Sequence, residues 1–468
     1  MKKISVFILL LTTSYLAKSQ QFALFGTETI FDSFENPAQK SFTLDSSRKF
    51  SSNFLLPNYG INAANKGATN SVIRRLIQDG VYNTSDLELN TGNFNKLYQN
   101  SNIYIATFRI FKSYKYQKEM GFAWQIKSDA NLKYTNDALA IFDTYKRFPT
   151  ETPMHGIFNT KGYEQSYHQF SFNYRENYNK QLAFGFKASI LSGIVYNDLD
   201  ITDSYLVISP ETNSMNIGIN GSYYSNFIYT NELNKNNLIP TFKNPGLALS
   251  FGTSYKSKKG LTLMANVKDL GFIWWRSNTQ KTIVNELKTI EDISGSRTQT
   301  NQQIKDIFLK SDQAKKFVAG TNAKVDVYVS KTFDFYKPAL IVSKNLFYNG
   351  GDVALVNTFS YNDFSASVTP QYNFNNIFLL GLQGKYQTKN FEIFMGTDNS
   401  LKTASLLKDA IQNNTNFSNS NTGASFYMGV GIKFGNVVNH PQFSDVMPGL
   451  DDKQEGSFFK RLFSIFSF

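Results

Sequence analysis

Apolar side chains recur at every second position in segment after segment of this chain, and that period belongs to half-buried β-strands. From Leu182 to Ile190, the residues Leu182, Phe184, Phe186, Ala188 and Ile190 alternate with Ala183, Gly185, Lys187 and Ser189. Phe426, Met428, Val430, Ile432 and Phe434 alternate in the same way with Tyr427, Gly429, Gly431 and Lys433. Shorter runs repeat the pattern at Phe122–Ile126, Phe170–Tyr174, Leu247–Phe251, Leu261–Val267, Val325–Val329 and Phe378–Leu382. Alternation alone also suits a soluble sandwich. Three features favour a closed membrane barrel instead. The segments have the ~9–11 residues that a tilted strand needs to cross a bilayer. Many pair through short polar turns, such as 256–260 and 373–376. Their alternate positions are rich in Gly and Ser, which suits a crowded interior. The expected fold is a transmembrane antiparallel β-barrel of about 14 strands, with short helices near the N-terminus and in one long loop.

Candidate strands lie near 103–112, 119–128, 166–176, 180–190, 214–224, 246–256, 260–268, 322–333, 352–361, 364–373, 377–387, 390–397 and 424–434, with two shorter ones near 40–56. Other segments break the period. Residues 68–82 read as a helix capped by Asn70 or Ser71, with Ile73, Leu76 and Ile77 on one face and Gly80 at its end. In 280–319, Ile283, Leu287 and Ile290, then Ile304, Ile307 and Phe308, recur at helical spacing, so this polar insertion is expected to be a helical loop. Residues 400–422 read as a second loop.

The N-terminus has the layout of a secretory signal peptide. Lys2 and Lys3 precede the apolar run Val6–Leu11, and Ala17-Lys18-Ser19 offers small residues for cleavage before Gln20. Segment 1–19 is therefore expected to be removed, leaving a barrel over 20–435 and a periplasmic tail over 436–468. No later stretch nears the 18 or more apolar residues of a membrane helix. Cysteine is absent, so disulfide and thiolate chemistry are excluded. The 43 Phe and 26 Tyr suit the aromatic girdles of a barrel. The net charge of +12 falls to +9 when Lys2, Lys3 and Lys18 leave. No basic run is longer than pairs such as Arg74-Arg75, so no nucleic-acid partner is expected, and outer-membrane lipid is the expected surroundings.

The inventory for catalysis is thin. His155, His168 and His440 lack metal-ligand spacing, and no nucleophile elbow or phosphate-binding loop occurs. A Ser/His pair around His168 is the sole enzymatic candidate. Asp198, Asp200 and Asp203 form an acidic cluster in a presumed loop, read as solvated charge rather than a Ca²⁺ site. The chain is expected to be no enzyme and to hold no metal or cofactor.

Three ordered elements carry a resemblance to a known superfamily. Phe34-Glu35-Asn36-Pro37-Ala38 resembles the Asn-Pro-Ala element near the mature N-terminus of FadL-superfamily barrels and of PorV-like outer-membrane proteins of Bacteroidota. Lys268-Asp269-Leu270-Gly271-Phe272-Ile273-Trp274 and Gly396-Thr397-Asp398-Asn399 resemble strand-end signatures of an uncharacterised Bacteroidota branch. The resemblance spans roughly residues 21–435. It implies a ~14-stranded barrel whose N-terminal segment, within 20–100 and with a short helix, enters the lumen. It carries no function: FadL barrels move hydrophobic compounds, whereas PorV-like members serve type nine secretion as partners. Transport of small hydrophobic molecules is the first expectation. A non-transporting partner barrel and a structural barrel are the alternatives.

Three groups of residues complete the reading. Tyr427–Phe434 resembles the signal read by the barrel assembly machinery, with Gly429, Ile432 and Phe434 as its elements. Trp274 and Trp275 are expected to mark the membrane interface. In the tail, Phe459, Leu462, Phe463 and Phe466 would line one face of a helix beside Lys460 and Arg461, suiting a membrane surface or the groove of an envelope protein.

Overall fold

The computed structural model describes residues 24–226, 239–309, 315–412, 422–439 and 457–466. The expected signal peptide, 1–19, lies outside the described residues. In chain order the strands are β1 (Arg48–Ser52), β2 (Asn58–Lys66), β3 (Phe94–Ser113), β4 (Lys118–Thr135), β5 (Met154–His155), β6 (Thr160–Asn177), β7 (Leu182–Ser209), β8 (Ser214–Ser225), β9 (Pro245–Lys256) and β10 (Leu261–Trp275). They continue with β11 (Gln280–Glu291), β12 (Phe317–Gly320), β13 (Lys324–Lys331), β14 (Tyr336–Asn345), β15 (Gly351–Tyr361), β16 (Phe364–Asn373), β17 (Ile377–Gln387), β18 (Phe391–Thr397) and β19 (Thr422–Val437).

These close into an antiparallel barrel of 14 staves, because β19 pairs with both β1 and β2, which together make one broken stave. Each β-ladder satisfies its neighbours' backbone groups, and closure removes the free edges. The alternation works as read. On β9, Leu247, Leu249 and Phe251 face outward, Leu249 at 63% exposure, while Ala248 and Ser250 are buried inside. The same outward apolar row continues through Leu263, Val327, Val329, Leu340, Val342, Leu355, Val368 and Leu382.

The two ends of the barrel differ. One end carries the short turns 114–117, 178–181, 257–260, 332–335, 362–363 and 388–390, together with the start of β1 and the end of β19. The other carries the long connections. There β7 runs past the wall: residues 182–192 pair with β9, whereas 197–209 pair with β8, which in turn pairs with β11. This projecting sheet has its own apolar core, in which Ile208, Met215, Ile217 and Ile290 pack with Ile141, Met154, Ile304 and Ile307.

Several expectations are corrected here. Residues 280–291 form strand β11, not a helix; among the described residues of the insertion the helix is Arg297–Leu309. Ile283 and Leu287 share one strand face and are exposed at 72% and 68%, while Ile290 sits on the opposite face and is buried, so the apparent helical spacing was spread over both faces. Strand β8 belongs to the projecting sheet rather than the wall, and β14 is a stave that the alternation did not reveal. Asp198, Asp200 and Asp203 lie within β7, not in a loop, and Asp200 pairs with Lys161 at 2.5 Å. The helix expected at 68–82 is Asn70–Asp79. Gly80 ends it at φ 65, but Thr69 stands at its N-cap without a side-chain bond, because the Thr69 hydroxyl is engaged with Tyr134 at 2.7 Å. This helix joins β2 to β3 at the loop end. The helix inside the lumen is a different one, the single turn Asp32–Glu35.

Candidate functional site

Described residues that precede β1 occupy the lumen. Leu24, Ile30, Phe31, Asp32, Ser33, Phe34 and Asn36 are fully buried. The plug is held largely through its backbone. Lys187 donates to the Phe34 carbonyl at 2.7 Å, Asn173 to the Ser33 carbonyl at 3.2 Å, and Arg175 Nε to the Ala38 carbonyl at 2.9 Å. Lys337 and Lys385 donate to the carbonyls of Gly26 and Thr27, each at 2.6 Å, and the Ile30 amide donates to Glu392 at 2.7 Å.

Two wall glycines make room for it. A β-carbon on Gly185 would lie 2.1 Å from the Pro37 carbonyl oxygen, and one on Gly252 would lie 2.1 Å from Asn36 Oδ1. Asn36 itself accepts from the Ala38 amide at 3.0 Å and so shapes the turn that carries Pro37 into the wall. The Asn-Pro-Ala element is thus a plug-to-wall contact.

Beneath the plug lies a network of buried charge. Glu35 accepts from Lys268 at 2.7 Å, from Tyr104 at 2.7 Å and from Asn102 at 2.9 Å. Asp269 takes Lys187 at 2.9 Å, Gln169 at 2.7 Å and Lys127. Consecutive residues in a strand normally face opposite ways, yet Lys268 and Asp269 both face inward. The register of β10 against β9 shifts between Val267 and Leu270, and Asp269 adopts φ 54; this bulge turns both side chains into the lumen. On the plug, burial opposes the charge of Glu35, but Lys268, Lys127 and Lys187 outweigh it and hold its carboxyl well below the usual range. Burial instead pushes Asp32 up to about 6, against the hydrogen bonds from Thr27 and Thr29.

The broken stave lies beside the plug's apolar half. Ser52 pairs with Phe108 and Ile432, while Asn58 pairs with Tyr104 and Tyr59 with Met428. Residues 429–431 therefore have no strand partner on that side. The intervening chain bows out, with Phe54 at φ 47 and Leu55 at φ 62, conformations costly for bulky side chains. Asn53 bridges the break: its side-chain amide donates to the carbonyls of Leu56 at 2.8 Å and Ile105 at 3.1 Å, and its Oδ1 accepts from the Thr107 amide at 2.8 Å. Within the same barrel, Tyr104, Phe394 and Tyr427 from the wall form one buried cluster with Leu24, Ile30, Phe31 and Phe34 of the plug. Phe31 packs 5.3 Å from the Tyr104 ring and 5.9 Å from that of Phe394.

The sequence-expected residues fall as follows. Gly429 faces inward, where a β-carbon would come 2.3 Å from the Phe394 ring. Phe434 faces outward among Phe50, Phe54 and Phe108, its ring 5.7, 5.2 and 6.4 Å from theirs, and Ile432 shares that outward face. Trp274 is outward and half-exposed beside Arg276. Trp275 corrects the expectation: it points into the barrel, fully buried against Tyr196 at 5.3 Å, because neighbouring strand residues cannot both face lipid. The tail is also corrected. Phe459 is buried and packs on the chain's own wall residues Phe184 and Phe186; Phe463 packs on Tyr178 and Phe184; Leu462 is half-buried. The Phe466 side chain lies outside the described residues. His168 accepts from Trp124 Nε1 at 3.3 Å through its Nδ1.

A closed 14-stave barrel with an apolar exterior and a plugged lumen defines a class of membrane-type barrel. The chain belongs to a family of unknown function (DUF5723), which its residues 43–398 match. No curated protein matches it. Among solved structures it is similar to the toluene transporter TbuX of Ralstonia pickettii, at 9% identity and a TM-score of 0.40, covering 86% of this chain and 92% of that one. It is likewise similar to the toluene transporter TodX of P. putida, at 9% identity and a TM-score of 0.38, covering 90% and 96%. Likeness at this level concerns fold.

Proposed function

We propose that the protein is a FadL-like outer-membrane barrel that admits small apolar molecules sideways, through the broken stave, into the chamber now held by Phe31 and Phe34. The observation that carries this reading is the juxtaposition of the break at 53–57 with the cluster of Tyr104, Phe394 and Tyr427. A straight path down the lumen is a poor route for such molecules. It is crossed by the Glu35–Lys268 and Asp269–Lys187 pairs, and toward the loop end by the stacked Tyr163 and Tyr348, 4.0 Å apart. Outer-membrane location is supported by the closed ladder and the outward apolar row, since only helices and closed barrels span lipid. In this orientation the short turns face the periplasm and the projecting sheet faces outside.

The partner-barrel reading drew on the long insertion and the C-terminal tail; of these, the tail has Phe459 seated on the barrel's own wall. The transport reading is tested by uptake of labelled toluene into cells carrying the protein. Deleting Phe54 and Leu55, which straightens the stave, should abolish the added uptake while leaving heat-modifiable barrel in the membrane. Unchanged uptake in that variant would overturn the lateral route.

A further inference from the structure

The turn end of the barrel carries a feature that transport does not use. Glu176 lies at the end of β6 on the outward face, in phase with Phe172 and Tyr174. A carboxylate there would be costly against lipid. It is instead fully buried under the C-terminal helix Phe458–Phe466 and takes up that helix's free N-terminal donors. Its oxygens accept from the Phe459 amide at 2.7 Å, the Phe458 amide at 3.2 Å and the Ser457 hydroxyl at 2.5 Å, while Ser457 Oγ caps the Lys460 amide at 3.1 Å. The apolar face then rests on Tyr174, Phe184, Phe186 and Phe251. The helix is therefore fixed on the exterior of the wall, at the level of the short turns.

Fixing the helix there gathers positive charge. Lys460 lies 5.8 Å from the centre of the Tyr116 ring and 5.6 Å from that of Tyr178. Lys115 and Lys118 lie 5.5 and 5.6 Å from the same Tyr116 ring. Arg461 is exposed beside Lys460, and Lys180 stands in the adjoining turn. Phe458, half-exposed, and Phe463 flank these cations with apolar surface. Aromatic side chains level with the end of the wall, topped by cations, match the boundary between acyl chains and phosphate groups.

We propose that Lys460 and Lys115, which meet over Tyr116, together with the exposed Arg461 next to Lys460 on the Glu176-capped helix, form a binding site for the headgroup phosphate of anionic phospholipid in the facing leaflet. The occupant is a bilayer lipid because the site combines exposed apolar rings and cations on the outside of a membrane-type wall. This rests on the reading of the chain as a membrane-spanning barrel, which heat-modifiable migration checks separately.

The test is native mass spectrometry of the full chain, folded and heat-modifiable in detergent, with phosphatidylglycerol or phosphatidylcholine added. The wild type should retain phosphatidylglycerol in preference, and each cation removed should lower that preference about fivefold. Lys460→Gln with Arg461→Gln should bring the two lipids near parity, and Glu176→Gln should do so by loosening the helix. Equal retention of both lipids by the wild type would overturn the proposal. So would a preference that survives the double substitution in protein that is still heat-modifiable.

Discussion

Glu35 and Lys268 form a buried ion pair at 2.7 Å that joins two elements 233 residues apart, the Asn-Pro-Ala segment of the plug and the Lys-Asp-Leu-Gly bulge of β10. Each element alone is a weak sequence signal. In the fold they are two halves of one contact, since Asn266 of the same strand also donates to the Glu35 carbonyl at 3.1 Å. Removing one member of such a pair leaves the other charge buried, at a cost of about 3–5 kcal/mol. Glu35→Gln should therefore loosen the plug, seen as faster protease cleavage within residues 24–47. Glu35→Gln combined with Lys268→Met should restore protection. Equal sensitivity of the single and double variants would show that the pair does not seat the plug.

The same segment should respond to pH through Asp32, and not through Glu35. The Glu35 value is depressed, so its contribution is present above the ordinary carboxyl range and is lost only as pH falls through the lower folded value. The Asp32 value is raised to about 6, so its contribution is present below the unfolded value of about 4 and is lost as pH rises through about 6. Protease protection of the plug should be stronger at pH 4 than at pH 7. Asp32→Asn should flatten that difference. A step that survives in the variant would assign the dependence to another group.

Substitutions at two glycines should separate the lumen from the exterior. Gly185→Leu places a β-carbon against backbone of the plug and should expel residues around Pro37, exposing them to protease. Gly384 faces outward with nothing within 4 Å, so Gly384→Leu should change neither plug protection nor heat-modifiable migration. Identical behaviour of the two variants would contradict the assignment of inward and outward faces.

How far the sequence revealed this arrangement depended on how each residue's surroundings shaped the pattern. The β9 row Leu247, Leu249 and Phe251 was legible because one face meets apolar surroundings and the other a packed polar lumen. Strand β14 was not, because Ala339, Leu340, Ile341 and Val342 are apolar on both faces: Ala339 and Ile341 pack inward on Phe25 and Tyr328, which erases the alternation. Strand β8 alternated as clearly as any stave, since Met215, Ile217 and Ile219 face a core, but that core belongs to the projecting sheet. The plug contact was visible only as an unexplained Asn-Pro-Ala element and as glycines at inward positions. The broken stave was legible only in part: β1 falls within the candidate segment near 40–56, β2 at Asn58–Lys66 was not marked, and the break itself shows as lost alternation between Asn53 and Pro57.

The projecting sheet gives a prediction about sidedness. Ile283 and Leu287 are exposed on β11, beyond the wall. Ile283→Cys and Leu287→Cys should react with a membrane-impermeant thiol reagent in intact cells. Labelling only after the envelope is opened would reverse the orientation assigned to the two ends.

The last stave and the tail make opposite predictions about insertion. Gly429, Ile432 and Phe434 resemble an assembly signal, and they lie at the strand that closes the barrel on β1 and β2. Gly429→Arg with Phe434→Ala should sharply lower the inserted protein, but a side chain at 429 would also strike Phe394, so that variant alone mixes recognition with packing. Phe434→Ala removes an outward ring packed on Phe50, Phe54 and Phe108 and so avoids the clash inside the lumen. Deleting 440–468 should leave insertion intact, because β19 ends at Val437 and Val438 is already tied to Ser47 through its amide at 2.8 Å. The truncated barrel should nevertheless unfold at lower temperature, since it uncovers Glu176 on the exterior. Phe459→Ala should reproduce much of that loss, with about 3 kcal/mol taken from the docking of the helix. Gel migration with and without heating reads both effects: insertion lost on deletion to the extent seen with Phe434→Ala would place the assembly signal in the tail, whereas an unshifted heating transition would show that the helix does not brace the wall.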